Sequence, residues 1–220
     1  MGGRGARAGG GGPSLGGGSG KRINIVEQVD VWSYRHNPDN EPFVDAINTG
    51  VAAIQNDFPD LMESVNSVNS AVLGGRDRTQ TLGFYDQAGK TVALNSNYTD
   101  IEKMNRVYDA SVKSGFHPGR GNKSGTEAVA LHEMGHALTG HVAQKMGVSN
   151  FDDASKRIVD AAYKNSNGKG GTKKWAGGIS KYAQDNNAEC IAEAVADWYC
   201  NGNKASAQSK AIMNELKKYK

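Results

Sequence analysis

From Ser124 to Met146 the chain carries one continuous helical pattern, and it limits the fold more than any other stretch. Ser124 followed by Glu127 is a capping box, in which each residue's side chain satisfies a backbone N–H at the start of the helix. Beyond it Ala128, Leu131, Gly135, Leu138, Val142 and Met146 recur at helical spacing through TEAVALHEMGHALTGHVAQKM. An apolar side of this length has to be packed against the rest of the chain.

The same helix holds HEMGH, residues 132–136. At the helical pitch His132 and His136 lie about 40° apart, beside the apolar stripe, and Glu133 sits roughly 60° beyond His136. Two histidines at i and i+4 can chelate one zinc ion from a single helix. The intervening glutamate is placed to take a proton from a water at the metal. His141 projects about 140° from His136 and is expected to face solvent, so it is not a ligand. The longer HExxHxxGxxH pattern would need glycine and histidine where Thr139 and Val142 stand, which excludes the metzincin arrangement.

A third ligand has to come from elsewhere. In YAQDNNAECIAEAVADWYC, Glu189, Glu193 and Asp197 are spaced by four and form one acidic stripe on a helix of otherwise small and apolar residues. Taken alone, such a stripe is the solvated face of an amphipathic helix, with Glu189 serving Asn186 in a capping box. Beside an HExxH helix it becomes the source of the carboxylate that a bis-histidine zinc site needs. Spacing leaves the choice open: Glu193 as ligand with Asp197 as its hydrogen-bonding partner is one assignment, and Glu189 as ligand is another.

HExGH followed at a distance by Tyr-x6-Glu-x-x-Ala-Glu resembles the gluzincin metallopeptidases of the anthrax lethal factor catalytic-domain type, and the zincin-like domains of phage head-associated proteins. The matching positions are His132, Glu133, Gly135 and His136, then Tyr182 and Asn186, then Glu189, Ala192 and Glu193. The likeness runs from the hairpin described below to Asp197. The glycine-rich start is also similar in composition to phage head proteins. The resemblance implies an α+β, zincin-like fold: a small mixed sheet whose edge hairpin packs on the HExxH helix, with a second, glutamate-bearing helix. It implies Zn2+ held by His132, His136 and Glu189, with Glu193 accepting a hydrogen bond from a ligand histidine and kept as the alternative ligand. Glu133 would be the general base and Tyr182 the donor to the developing oxyanion. The activity implied is that of a zinc endopeptidase, phage-encoded or head-associated. The alternative is a non-catalytic head protein that keeps the fold for assembly. Partners would be a peptide or protein substrate and phage head proteins, in the host cytoplasm or in the virion.

Other segments give a coarse order of elements. RINIVEQVDVW reads as a strand or extended lead-in, and NEPFVDAINTGVAAIQNDF as a helix with Phe43, Ile47, Val51 and Ile54 on one side. LMESVNSVNSAVL leans towards strand. Residues 81–85 and 91–95 flank a glycine-containing turn and form a hairpin, whose first arm, Thr81 to Tyr85, is the edge nominated by the resemblance to receive an extended peptide. TDIEKMNRVYDASVKSG reads as a helix capped by Thr99. FHPGRGNKSG is a loop, and its His117 is left out of the site as an ordinary loop histidine.

Residues 1–20 are more than half glycine and cannot offset their own ordering entropy, so a disordered tail is expected there, followed by one zincin-like domain over 21–220. Arg4 and Arg7 are too few to make that tail an RNA-binding segment. A formal net charge of +3 does not call for nucleic acid, and the C-terminal lysines read as a solvated helix face. No apolar run approaches the roughly 18 residues of a membrane span, and no secretion signal is evident. Cys190 and Cys200 give no disulfide framework and read as small core residues.

Overall fold

The computed structural model describes residues 22–26, 29–32, 41–71 and 81–220. The glycine-rich tail expected over residues 1–20 lies outside them. The fold is α+β and mostly helical. RINIVEQVDVW forms two strands, β1 (Arg22–Val26) and β2 (Val29–Trp32), paired antiparallel. The segment read as a strand from Leu61 onward divides in two. Pro59 opens a 3-10 turn over Pro59–Ser64, and the strand β3 covers Ser67–Ala71. The hairpin is β4 (Gly83–Asp86) and β5 (Thr91–Asn95), with Tyr85 opposite Val92 and Asp86 opposite Thr91. Its turn is held by Asp86, whose carboxylate accepts from the backbone N–H groups of Ala88 and Gly89. The sheet is mixed, in the order β1-β2-β3-β5-β4, with β3 parallel to both neighbours and β4 at one edge.

Helix α1 (Glu41–Asp57) buries Phe43, Ile47, Val51 and Ile54, the side read from the sequence. Helix α2 (Ile101–Lys113) is capped by Asp100, whose carboxylate accepts from Lys103 N, one residue later than the expected Thr99. Helix α3 (Gly125–Lys145) has the capping box in full: Ser124 Oγ accepts from Glu127 N at 3.1 Å, and Ser124 N donates to Glu127 Oε2 at 2.8 Å. After α3 come α4 (Phe151–Asn165), the short α5 (Thr172–Ala176), α6 (Asn187–Asn201) and α7 (Ala207–Leu216). One apolar core extends from Phe43 on α1 to Leu216 on α7. Cys190 and Cys200 are free thiols within it.

Helix α3 is more central than its stripe suggests. It packs on α6, α1, α2 and α4 and on the β4–β5 hairpin, so it is buried nearly all round. This corrects the reading of His141, expected in solvent. The Pro59–Ser64 turn covers that face, and His141 is buried with Nδ1 2.9 Å from Ser64 Oγ. Among the described residues no helix is long and apolar enough to cross a membrane.

Candidate metal centre

The site lies where α3 crosses α6, and a glycine sets how close they come. A Cβ added at Gly135 would lie 2.8 Å from the Cα of Ala192 and 3.1 Å from Cβ of Val195, so only glycine allows the approach. That approach carries Glu189, in the first turn of α6, to the two histidines of α3. Glu189 Oε2 is 3.2 Å from His132 Nε2 and 3.4 Å from His136 Nε2. The Glu189 backbone N–H is taken by the Asn186 side chain at 2.9 Å, which starts α6 and leaves the glutamate's own carboxylate to face the histidines.

Three observations fit this group to a metal ion. His132, His136 and Glu189 are all buried, and their ligand atoms lie within 4.8 Å of one another. A tetrahedral zinc with bonds of about 2.0–2.1 Å requires ligand atoms roughly 3.3 Å apart, close to both histidine–carboxylate distances. Finally, His136 Nε2 and Glu189 Oε2 are buried without a hydrogen-bond partner, although they lie within ion-pair distance of each other. Buried polar atoms are rarely left so, and lone pairs converging on one point are what a cation satisfies. The group could hold a metal ion.

Glu193, one turn beyond Glu189, is not one of these three residues. Its Oε1 lies 2.8 Å from His132 Nδ1, and a carboxylate only accepts, so Nδ1 carries a proton and Nε2 is the nitrogen that faces Glu189. The same Oε1 is 2.9 Å from His117 Nδ1, and Ser180 Oγ donates to Oε2 at 2.7 Å. His117, set aside in the sequence as a loop histidine, is therefore part of the site. No helical spacing points to it; the chain folding back from α2 brings it in. Asp197 is occupied elsewhere: it accepts from Asn201 Nδ2, Ser206 N and Ser209 Oγ, tying α6 to the start of α7.

The charges are arranged for a cation. Burial opposes ionisation of Glu189, yet the facing His136 and His132 hold its carboxyl well below the usual range. Burial likewise opposes ionisation of Glu193, and His117 and His132 bring it down to about 2. For His132 burial disfavours the charged form, but the adjacent carboxylates of Glu189 and Glu193 outweigh it and raise the pKa well above the ordinary value. Two buried carboxylates thus draw positive charge onto the imidazole where a metal would sit.

Glu133 behaves differently. Burial raises its pKa, and His132 and His136 offset this only in part. Its Oε2 is buried with no hydrogen-bond partner. Gly83 of β4 lies against it, where an added Cβ would be 2.9 Å from Glu133 Oε1. Tyr182 stands on a 3-10 turn (Tyr182–Gln184) before α6. Its ring stacks on His132, with centroids 5.8 Å apart and planes 12° apart, and on Phe116 at 4.8 Å.

The C-terminal lysines are engaged in ion pairs: Lys217 and Lys220 lie beside Asp57, and Lys218 beside Glu215. In comparison with known proteins, no family model matches the chain and no curated protein matches it.

Proposed function

We propose that the protein is a zinc-dependent endopeptidase of gluzincin type, with His132, His136 and Glu189 as ligands and Glu133 as general base. The observation that carries this reading is Glu133 itself: a buried carboxylate with an unpartnered oxygen, adjacent in sequence to one ligand histidine. A purely structural metal site has no use for an acid between its histidines. Zinc bound there would supply Lewis acidity toward a water and toward a peptide carbonyl.

The chain's own residues do the rest. Glu133, its proton affinity raised by burial, accepts a proton at a carboxylate oxygen and passes it to the leaving amine. Glu193 keeps the proton of His132 on Nδ1. Tyr182, stacked on His132, is the donor toward the developing oxyanion. The edge strand β4, with Gly83 beside Glu133, holds the substrate extended by backbone hydrogen bonds. The setting we infer, from the same resemblance, is phage head processing or action in the host cell after delivery.

The test is metal analysis of purified protein, followed by peptide-library cleavage by wild type and by Glu133→Gln. One zinc per chain and cleavage lost in the variant are expected. Equal cleavage by both forms removes the enzyme claim, and zinc binding without any cleavage favours a head-associated protein that has kept the site for assembly.

A further inference from the structure

We propose that His117 is a positioning residue of the metal centre, acting through Glu193 to fix the orientation of His132. The inference rests on reading His132, His136 and Glu189 as metal ligands, but not on peptidase activity.

Glu193 is 1 % exposed, and its partners all come from outside its own helix. Oε2 takes the hydroxyl of Ser180, whose Oγ in turn accepts from Ala183 N at 3.0 Å. Oε1 takes both Nδ1 of His132, at 2.8 Å, and Nδ1 of His117, at 2.9 Å. One oxygen shared by two imidazole N–H groups is held from two directions, so the point at which His132 is aimed depends on His117. With His117 gone, Oε1 would follow His132 rather than hold it.

The backbone is built to deliver this contact. Lys181 N donates to Gly115 O at 2.9 Å and Tyr182 N to Phe116 O at 3.1 Å, pinning the segment before His117 to the segment that carries Tyr182. Pro118 follows, which restricts His117 to extended backbone conformations. The ring lies stacked on Tyr108, with centroids 5.3 Å apart and planes 7° apart, and meets Tyr182 edge-on at 5.5 Å. A histidine that only filled space would not need its Nδ1 turned to a buried carboxylate; Phe116 next to it fills space without one.

The partners of a ligand histidine commonly account for about 10- to 100-fold in metal affinity. Zinc affinity is measured by chelator competition on the full chain for wild type, His117→Phe, which keeps the stacked ring and removes the N–H, and His117→Asn, whose amide nitrogen occupies the Nδ1 position. Thermal unfolding of the metal-free forms and the visible spectrum of the cobalt(II)-loaded forms are recorded alongside. We expect His117→Phe to lose about 10- to 100-fold in zinc affinity and to alter the cobalt spectrum, with the metal-free melting temperature little changed. His117→Asn should recover most of the loss. Should His117→Phe fail to fold, His117→Leu supplies the donor-free measurement, with the same loss expected. Wild-type affinity in the donor-free variant overturns the inference, as does an Asn variant no better than Phe. Wild-type protein that binds neither zinc nor cobalt overturns the metal centre itself and this inference with it.

Discussion

His132 on α3 and Glu193 on α6 are joined by a 2.8 Å contact between Nδ1 and Oε1, while Glu189, one turn earlier on α6, faces the other nitrogen of the same ring at 3.2 Å. One imidazole thus lies between two carboxylates with different tasks. Glu189 offers an oxygen with no hydrogen-bond partner, and the oxygens of Glu193 are both occupied. The first is suited to a metal and the second to holding a ligand.

That division orders two substitutions. On the proposed assignment Glu189→Ala removes a ligand, whereas Glu193→Ala removes a ligand's partner, for which a loss of about 10- to 100-fold in zinc affinity is usual. Chelator competition on both variants should show the greater loss for Glu189→Ala. The reverse order would make Glu193 the ligand.

Gly135→Ala sets two effects against each other. In a helix interior alanine is favoured over glycine by about 1 kcal/mol. Here the new Cβ would sit 2.8 Å from a backbone atom, the Cα of Ala192, which cannot swing aside like a side chain. Overpacking of this kind costs about 1–3 kcal/mol. The clash should win, with α3 and α6 forced apart and Glu189 drawn back from the histidines. Urea unfolding of the metal-free protein should show a net loss of stability, and zinc binding should weaken with it. A variant as stable as wild type with unchanged zinc affinity would show that the added methyl is absorbed without moving Glu189, and that Gly135 does not set the approach of the two helices.

Much of this arrangement is legible in the chain, and the boundary is physical. Helix α3 announces itself because its cap, its apolar spacing and its HExxH all follow one local period. Glu189 and Glu193 share a helix whose period is equally plain, so both could be named without knowing which faces both His132 and His136. What escapes is whatever depends on a neighbour far along the chain. His141 lies on the side of α3 away from His132 and His136 and reads as exposed until the Pro59–Ser64 turn covers it. His117 sits in a loop with no period at all, and only the fold brings it to Glu193. Asp197 matches the acidic spacing but is claimed by Ser206 and Ser209 at the start of α7.

His141 gives the stability a pH dependence of known sign. Burial lowers its pKa in the folded protein, with Lys145 adding to the effect, so the folded state prefers the neutral ring. Below the unfolded value of about 6.5 the unfolded chain binds the extra proton and the folded one resists it. Its contribution is therefore fully present above that value and is lost as pH falls through it toward the lower folded pKa. Denaturant unfolding between pH 7.5 and 5.5 should show stability declining by no more than about 1.4 kcal/mol per pH unit from this group. The slope attributable to it should vanish in His141→Gln. An unchanged slope in that variant would assign the pH dependence to other groups.

Gly83 separates chemistry from metal binding. It lies on the edge strand β4 opposite Leu94, and an added Cβ would come within 2.9 Å of both Cγ and Oε1 of Glu133, and 3.0 Å of Val129 Cγ1. The carboxylate is the flexible end of its side chain, so Gly83→Ala should displace it rather than unfold the strand. No atom of His132, His136 or Glu189 is among those nearest that Cβ, and zinc affinity should stay at the wild-type level. A misplacement of about 1 Å in a reacting group can cost on the order of 100-fold in rate. With a peptide taken from the library screen, kcat/KM should therefore fall by roughly 10- to 100-fold. If kcat/KM is unchanged while a matching Glu133→Gln variant is inactive, the carboxylate does its work from a position that β4 does not touch.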